Sequence, residues 1–397
     1  MDAIQLELCK DLEHISQRKK KQNIILFFGR DTFSDNSKYL YLYMQAHCKA
    51  FQVIWCSTCA PLIQQLRQHD LPCFLMTEDE KATHSLFLEA AIAVFCINPL
   101  EVTRGNLTPL ACLKGAMSLQ LWHGVGLKRL DLALTAHMDV ANIVQSKSLA
   151  MVSSSDYYLS PSKIVDAGWH EFFGARRLLR AGYPRNEVLL REATPHEMIG
   201  SALHPTVEQG LYHSPNKKIL LAPTHEKNAG LNNKDMLAAI LVYCKQRNIN
   251  VFVKRHPFVQ PKGEVESQIG NLFNIPSGLD IYPHLKQFDA LVTDYSSIVF
   301  DYLLVDKPVI SVEAKDNARF GYSLVPGGDS FSYMFNIENL PTVFDTALEN
   351  DHKSTERKTL KNIMFSSNNQ RANEEITQKI LAAWKKRESN AYKIELV

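Results

Sequence analysis

Three short stretches of this 397-residue chain carry residue types able to handle phosphate chemistry, and each follows a run of β-forming residues. In Leu121-Trp122-His123-Gly124-Val125-Gly126-Leu127-Lys128 a histidine leaves a strand into a glycine-bounded turn, where glycine permits close backbone approach and unusual dihedrals. An imidazole with an unperturbed pKa near ~6.5 can take a proton from an attacking hydroxyl at neutral pH, which makes His123 the candidate general base. Taken alone, a histidine in such a place more often just caps the turn. Val251-Phe252-Val253-Lys254-Arg255-His256-Pro257 ends a strand in three cationic or protonatable groups and is stopped by a proline that cannot continue the ladder. Lys254 and Arg255 alternate faces and His256 returns to the side of Lys254, a set suited to an anion; a solvated strand end is the plainer alternative.

The most informative stretch is Leu291-Val292-Thr293-Asp294-Tyr295-Ser296-Ser297-Ile298-Val299-Phe300-Asp301-Tyr302. An apolar strand passes through a small polar turn into a helix expected over Ser296–Leu304, whose first amides point outward and can bind phosphate. Ser296 and Ser297 add hydroxyl donors there. Asp301, four residues after Ser297, shares its helix face, where a carboxylate can hold sugar or alditol hydroxyls. The bland alternative is an N-cap supplied by Asp294 or Ser296. Two weaker segments, Ala222-Pro223-Thr224-His225-Glu226-Lys227 and Ala181-Gly182-Tyr183-Pro184-Arg185-Asn186, complete the set.

The elements that must position these residues alternate. Strand-like runs at Asn23–Phe28, Phe51–Trp55, Pro72–Leu75, Ala91–Cys96, Ser118–Trp122 and Asp156–Leu159 are separated by helical patterns, a rhythm that implies a parallel α/β sheet. After a polar stretch, Glu192 to Asn216, the rhythm restarts with Lys217–Leu221, Asn250–Lys254, Leu272–Ile275, Ala290–Thr293 and Pro308–Val312, and Ile337–Trp384 reads as almost wholly helical. The expected organisation is an N-terminal Rossmann-like domain over 1–190, a second over 191–365, and a C-terminal helix over 366–397 that crosses back to the first. Two doubly wound sheets would face one another over a cleft, with ligands at the carboxyl ends of the strands.

Bulk properties exclude several classes. Lys and Arg number 44 against 42 Asp and Glu, so no whole-molecule field points to nucleic acid as a partner. Residues 1–17 have no continuous apolar run, and the best one elsewhere, Ala90–Ile97, is too short to span a bilayer. Eight scattered cysteines then read as reduced thiols of a cytoplasmic protein. Trp55-Cys56-Ser57-Thr58-Cys59 resembles a redox centre superficially, but cysteines at a strand end commonly just pack. No Asp-rich or His/Cys cluster has metal-ligand spacing, so no dedicated metal site is expected, although a magnesium ion accompanying a nucleotide donor is compatible with the sequence.

Together the motifs resemble the CDP-glycerol glycerophosphotransferase family, whose members build teichoic acids and related poly(alditol phosphate) capsules. The likeness runs from about Leu119 to Val312 and lies in the order of the pieces: Trp122-His123-Gly124 with Lys128, Gly182-Tyr183-Pro184-Arg185-Asn186, Ala222-Pro223-Thr224, Arg255-His256-Pro257, and Thr293-Asp294-Tyr295-Ser296-Ser297 with Phe300-Asp301-Tyr302. The resemblance implies a GT-B fold, with the acceptor on the first domain and a CDP-alditol donor on the second. It makes His123 and His256 the catalytic candidates. Thr224, Lys254, Arg255, Thr293, Asp294, Ser296, Ser297 and Asp301 are the donor-binding candidates, and Trp122, Gly124, Lys128, Arg185 and Lys227 the acceptor or phosphate contacts. The chain departs from the family pattern at Val125-Gly126, where Thr-Pro is usual, and at His225-Glu226, where an aromatic and an arginine are usual.

The implied reaction is transfer of glycerol phosphate or ribitol phosphate to a hydroxyl of a glycan, polymer or lipid-linked oligosaccharide with release of CMP, by a primer or linker enzyme or a polymerase. Two rivals stand beside it. One is another GT-B enzyme, a nucleotide-sugar glycosyltransferase or UDP-sugar 2-epimerase. The other is a non-catalytic glycan- or membrane-binding module that uses local basic surfaces: Arg18-Lys19-Lys20-Lys21, Lys128-Arg129, Arg176-Arg177 and Lys385-Lys386-Arg387. Each of those is more often a solvated helix face, yet peripheral contact with the inner face of the plasma membrane suits an enzyme that extends lipid-linked polymers.

Overall fold

A computed structural model of the chain describes residues 3–125, 154–173, 175–223, 230–255, 267–294, 296–313 and 326–394. The chain divides into two compact units, one of Met1–His123, Leu134–Glu187 and Ser367–Val397, the other of Gly124–Ala133 and Val188–Ser366.

The first unit is built on strands β1 (Gln22–Phe28), β2 (Gln52–Ser57), β3 (Cys73–Leu75), β4 (Ala90–Phe95), β5 (Met117–Gln120), β6 (Tyr157–Ser160) and β7 (Leu178–Arg180), paired in the order β3-β2-β1-β4-β5-β6-β7. Every pairing is parallel. Central strands of such a sheet are covered on both faces, which is why β4 is buried at all six positions and β1 from Ile24 onward. The chain leaves β1 toward β2 and β3, then returns to place β4 on the other side of β1. That reversal creates a topological switch point at the carboxyl ends of β1 and β4, where an open α/β sheet leaves a crevice for ligands.

In the second unit, β8 (Lys218–Ala222), β9 (Asn250–Lys254), β10 (Gln268–Ile269), β11 (Leu272–Ile275), β12 (Ala290–Thr293), β13 (Val309–Val312) and β14 (Tyr333–Phe335) pair in the order β10-β11-β9-β8-β12-β13-β14. Only the two-residue β10 runs antiparallel among the described strands. Here the switch point lies at the carboxyl ends of β8 and β12. The core between this sheet and its helices includes Ile240, Val251, Val292, Ile310 and Phe344.

Several boundaries differ from the sequence expectation. β5 stops at Gln120 rather than Trp122, because Trp122 takes a left-handed φ of +58° that no strand can contain. The two- and three-residue strands β7, β10 and β14 are too short to leave a hydrophobic pattern. The segment 337–384 is broken into helices Leu340–Glu349, Ser354–Met364 and the start of Ala372–Ile394. That last helix belongs to the first unit: Ile376, Ile380 and Trp384 are buried, and the amide of Asn373 donates to Glu187 Oε1 at 2.7 Å. Cys56 is buried at the end of β2, and all eight cysteines are free thiols. Among the described residues, no helix is long and apolar enough to cross a membrane.

Gly29 sets the path of the chain as it leaves β1. A Cβ there would stand 2.7 Å from the Trp55 ring, which is fully buried among Phe33 and Tyr41 and has no room to retreat. Gly29→Ala should therefore destabilise the first unit by about 1–3 kcal/mol, the usual cost of overpacking, read as a lower denaturant midpoint for the transition of that unit.

Candidate functional site

Beside the switch point of the first unit, the chain leaves β5 through a bend at residues 121–124 whose backbone polar groups are largely taken up internally. The amide of Leu121 continues the ladder to Phe95 O at 2.7 Å, and Gln120 then replaces it: its side chain donates to Ile97 O at 2.9 Å and accepts from the Trp122 amide at 3.0 Å. Trp122 turns left-handed, and Gly124 follows at φ +127°, a value that favours glycine. The carbonyls thereby exposed are taken from elsewhere in the chain. Asn36 Nδ2 donates to Trp122 O at 2.8 Å, and Arg185 Nη2 donates to His123 O at 3.1 Å.

A buried cluster supports that grip. Asp35 Oδ1 accepts from Arg185 Nη1 at 2.7 Å and from the Asn36 amide at 2.8 Å, while Asn36 Oδ1 accepts from the Arg185 amide at 3.2 Å. Asp35 opens the helix Asp35–His47 with φ +68°, tolerable for aspartate because its short side chain bonds locally. Arg30 stands on the other side of the same carboxylate, its Nε 3.9 Å from Asp35 Oδ2.

The His123 ring stacks on Trp122, with centroids 4.3 Å apart, and Trp122 is met edge-on by Trp169. Nδ1 of His123 lies 3.3 Å from Cys96 O. A carbonyl only accepts, so Nδ1 carries the proton and Nε2 holds the lone pair, the tautomer a general base needs. Burial holds the imidazole pKa down to about 4; the Arg30 guanidinium is the next largest cause, opposed by Asp35, with Arg185 lowering it further and the Cys96 carbonyl raising it. At neutral pH the ring is therefore uncharged.

Two acceptor-side expectations change. Arg185 is 5% exposed and committed to Asp35 and to the His123 carbonyl, so it braces the turn instead of meeting a phosphate. Gly124 is likewise buried and serves the turn. Trp122 is partly exposed, and Lys128 and Lys227 lie outside the described residues. Asn36 and Asp35 were missed by sequence reasoning. The signal was available, since Phe28-Gly29-Arg30 leaves a strand as His123 does, but no motif marked it.

In the second unit the expected donor residues divide into two groups. Ser296 and Ser297 are partly exposed just beyond β12, and no partner for either hydroxyl is seen among the described residues. Lys254 is desolvated at the end of β9, which lowers its pKa to about 8, and its Nζ donates to Ser277 O at 2.7 Å. Arg255 reaches Asn274 Oδ1 at 3.4 Å and lines a cavity of about 170 Å³ with Pro223, Leu231 and Asn232, between the ends of β8 and β9. His256 and Thr224 lie outside the described residues.

Three others turn inward, contrary to expectation. Thr293 is fully buried and its hydroxyl donates to Ala222 O at 2.8 Å, tying β12 to β8. Asp294 is 3% exposed, packed so close to Gly230 that a Cβ there would lie 2.7 Å from its Oδ2. Asp301 has no exposed surface and accepts from Tyr282 Oη at 2.6 Å, so its carboxylate does not face a donor hydroxyl. The helix also differs from Ser296–Leu304: it spans Ile298–Tyr302, with Ser297 in the cap position and no side-chain cap bond. Its first turn is tight, the amides of Val299 and Phe300 donating to Ser296 O at 3.2 Å and Ser297 O at 3.1 Å, so those two are not available to an anion.

Comparison with known proteins fits this architecture. The profile of the CDP-Glycerol:Poly(glycerophosphate) glycerophosphotransferase family matches residues 11–382. The chain belongs to that family. It is 22% identical over 341 residues to a teichoic acid poly(glycerol phosphate) polymerase of Staphylococcus epidermidis, covering 81% of this chain and 43% of that protein. To a teichoic acid glycerol-phosphate transferase of Staphylococcus aureus it is 26% identical over 321 residues, covering 76% of this chain and 77% of that one. This family member thus spans less than half the length of the polymerase. Among solved structures, the wall teichoic acid polymerase TagF superposes with a TM-score of 0.69 at 20% identity, over 97% of this chain and 96% of that one. A UDP-N-acetylglucosamine 2-epimerase-like protein from Listeria monocytogenes gives 0.58 at 14% identity, over 93% and 98%. At such identities the likeness is one of fold, the GT-B type.

The electrostatics of the histidine can be read directly. In a ring-nitrogen NMR titration, His123 should remain the neutral Nδ1-protonated tautomer down to about pH 5 and protonate with a midpoint near 4. Because the folded pKa lies below the ordinary ~6.5, its contribution to stability is full above that value and is lost as pH falls toward 4. A midpoint at the ordinary value would contradict the burial of the ring, to which Arg30 and Arg185 add.

Proposed function

We propose that this chain transfers glycerol phosphate or ribitol phosphate from a CDP-alditol to a hydroxyl of a glycan or polymer acceptor, releasing CMP, in the synthesis of a teichoic-acid-like or capsular polymer. The observation that carries the reading is the tautomer of His123: Nδ1–H is spent on the Cys96 carbonyl, which leaves the lone pair on Nε2 of a partly exposed ring just beyond β5. The names of the relatives, polymerases and a transferase of teichoic acids, support the donor class.

In this reading the acceptor oxygen attacks the alditol-linked phosphorus as its proton passes to His123 Nε2. The bond from that phosphorus to the bridging oxygen breaks, and CMP departs with both electrons. Little covalent work falls to the protein, so positioning and charge stabilisation dominate. Ser296, Ser297, Lys254 and Arg255 bind the donor phosphates, joined by His256. The reaction needs no resident metal; a magnesium ion accompanying CDP is consistent with it. Peripheral attachment at the inner face of the plasma membrane belongs to the same proposal, with Arg18 and Lys20 exposed for it, whereas Lys21 is spent on Leu88 O and Lys19 pairs with Glu89.

Incubation with CDP-glycerol, CDP-ribitol and a panel of UDP-sugars should release CMP from a CDP-alditol only, with acceptor mass rising by one or more alditol phosphates. His123→Ala should lower turnover by roughly 100- to 10,000-fold, the usual share of a general base, without shifting the unfolding midpoint of the first unit downward. UDP release, or near-normal turnover in the variant, would reject the assignment.

A further inference from the structure

The cluster behind His123 is unbalanced in charge. Asp35 is its buried carboxylate, and two guanidinium groups address it: Arg185 at 2.7 Å, with only 6% of its side chain exposed, and Arg30 at 3.9 Å, with 29% exposed. The next acid along the loop, Asp31, is taken by Arg104 Nη2 at 2.7 Å, and Arg104 Nε also donates to Thr58 Oγ1 at 3.2 Å. Asp35 is thus satisfied by the shorter, buried pair. Arg30 is left with a weak share of one carboxylate just beyond the carboxyl end of β1 and partly open to solvent, and that same carboxylate holds Arg185, whose Nη2 reaches the His123 carbonyl at 3.1 Å.

An arginine partly open to solvent, with one long ion pair, is suited to a phosphate oxygen pair, which its planar fork can meet at two points. We infer that Arg30 binds the terminal phosphodiester of the acceptor, the anion one alditol away from the hydroxyl that His123 deprotonates. The inference rests on the transferase reading and extends it, because it assigns the acceptor a charge: the preferred substrate already ends in an alditol phosphate. Arg30 takes the part on the first unit that Arg185 and Gly124 do not. It also gives acceptor binding a second effect. A phosphodiester placed on Arg30 offsets the positive charge that suppresses protonation of His123, so the imidazole becomes a stronger base when the acceptor is in place.

The test compares Arg30→Gln and Arg30→Lys with the unaltered protein, on a short glycan ending in glycerol phosphate and on the same glycan ending in glycerol through an ether. For the unaltered protein, kcat/KM should favour the phosphate-terminated acceptor. Arg30→Gln should reduce that preference by roughly 10- to 100-fold, mainly through KM for the acceptor, and Arg30→Lys should restore part of it. KM for CDP-glycerol should hold. The acid limb of the pH profile in Arg30→Gln should move to higher pH, since removing a cation eases protonation of His123, with Asp35 and Arg185 still flanking the ring. Glycerol 3-phosphate should compete with the acceptor and not with CDP-glycerol in the unaltered protein, a readout independent of whether any variant folds. An unchanged preference in Arg30→Gln, an equal loss on both acceptors, or no such competition would overturn the inference. Absence of CMP release by the unaltered protein from every CDP-alditol would instead reject the transferase reading itself.

Discussion

The arrangement depends on two backbone carbonyls being held from a distance. Trp122 and His123 sit where β5 gives way to a turn, and the left-handed φ of Trp122 costs roughly 1–2 kcal/mol for a residue with a Cβ. Such strain persists only where the surroundings over-determine it. Here the Asn36 amide and the Arg185 guanidinium supply the determination, and each contributes about 1 kcal/mol or somewhat more through a bond made out of water. Asp35 then fixes Arg185. The orientation of one imidazole is thus set by residues 86 and 62 positions away in the chain, brought together by the order of the strands.

The second unit handles its polar groups in the opposite way. Thr293 and Asp301 are turned inward to tie β12 to β8 and to anchor Tyr282, while Ser296 and Ser297 are partly exposed. The helix they lead has five residues, and its first turn uses its own amides. A long helix would bring a dipole and free N–H groups to a phosphate; this one offers little of either. In the proposed reaction, anion binding at this strand edge accordingly falls to side chains, the hydroxyls with Lys254 and Arg255. The burial that lowers the Lys254 pKa to about 8 also leaves its charge less screened by water.

Much of this was legible in the chain. Parallel strands buried on both faces leave continuous apolar runs, so Asn23–Phe28, Ala91–Cys96 and Ala290–Thr293 could be found within a residue or two of β1, β4 and β12. Strand ends mark where ligands bind in such sheets, and that rule pointed to His123, Lys254 and Ser296. What could not be read was the direction of each side chain once the strand ended. Thr293 and Ser296 are three residues apart with similar chemistry, yet Thr293 is fully buried on a neighbouring carbonyl and Ser296 is partly exposed, a difference that residue type does not encode. Arg185 looked like a phosphate contact for the same reason: its partner Asp35 lies 150 residues earlier, and nothing local announces the pair. Asp35 and Asn36 escaped notice because the groups their side chains hold, the Arg185 guanidinium and the Trp122 carbonyl, lie far along the chain and no motif joins them.

A histidine whose pKa stands near 4 raises the question of how it would serve as the base of the proposed reaction. Availability is not the difficulty, since at neutral pH the ring is neutral and correctly tautomerised. Basicity is. A catalytic pKa works best near the ambient pH, and a value this low reflects burial and two nearby guanidinium groups in the absence of substrates. Those are also the conditions that substrates change. In the proposed reaction an anionic acceptor would bring negative charge toward Arg30, and an opposite charge within ~4–6 Å favours the protonated imidazole. In the proposed reaction, phosphate bound at Arg30 would raise the basicity of the imidazole and so link proton transfer to the presence of the acceptor.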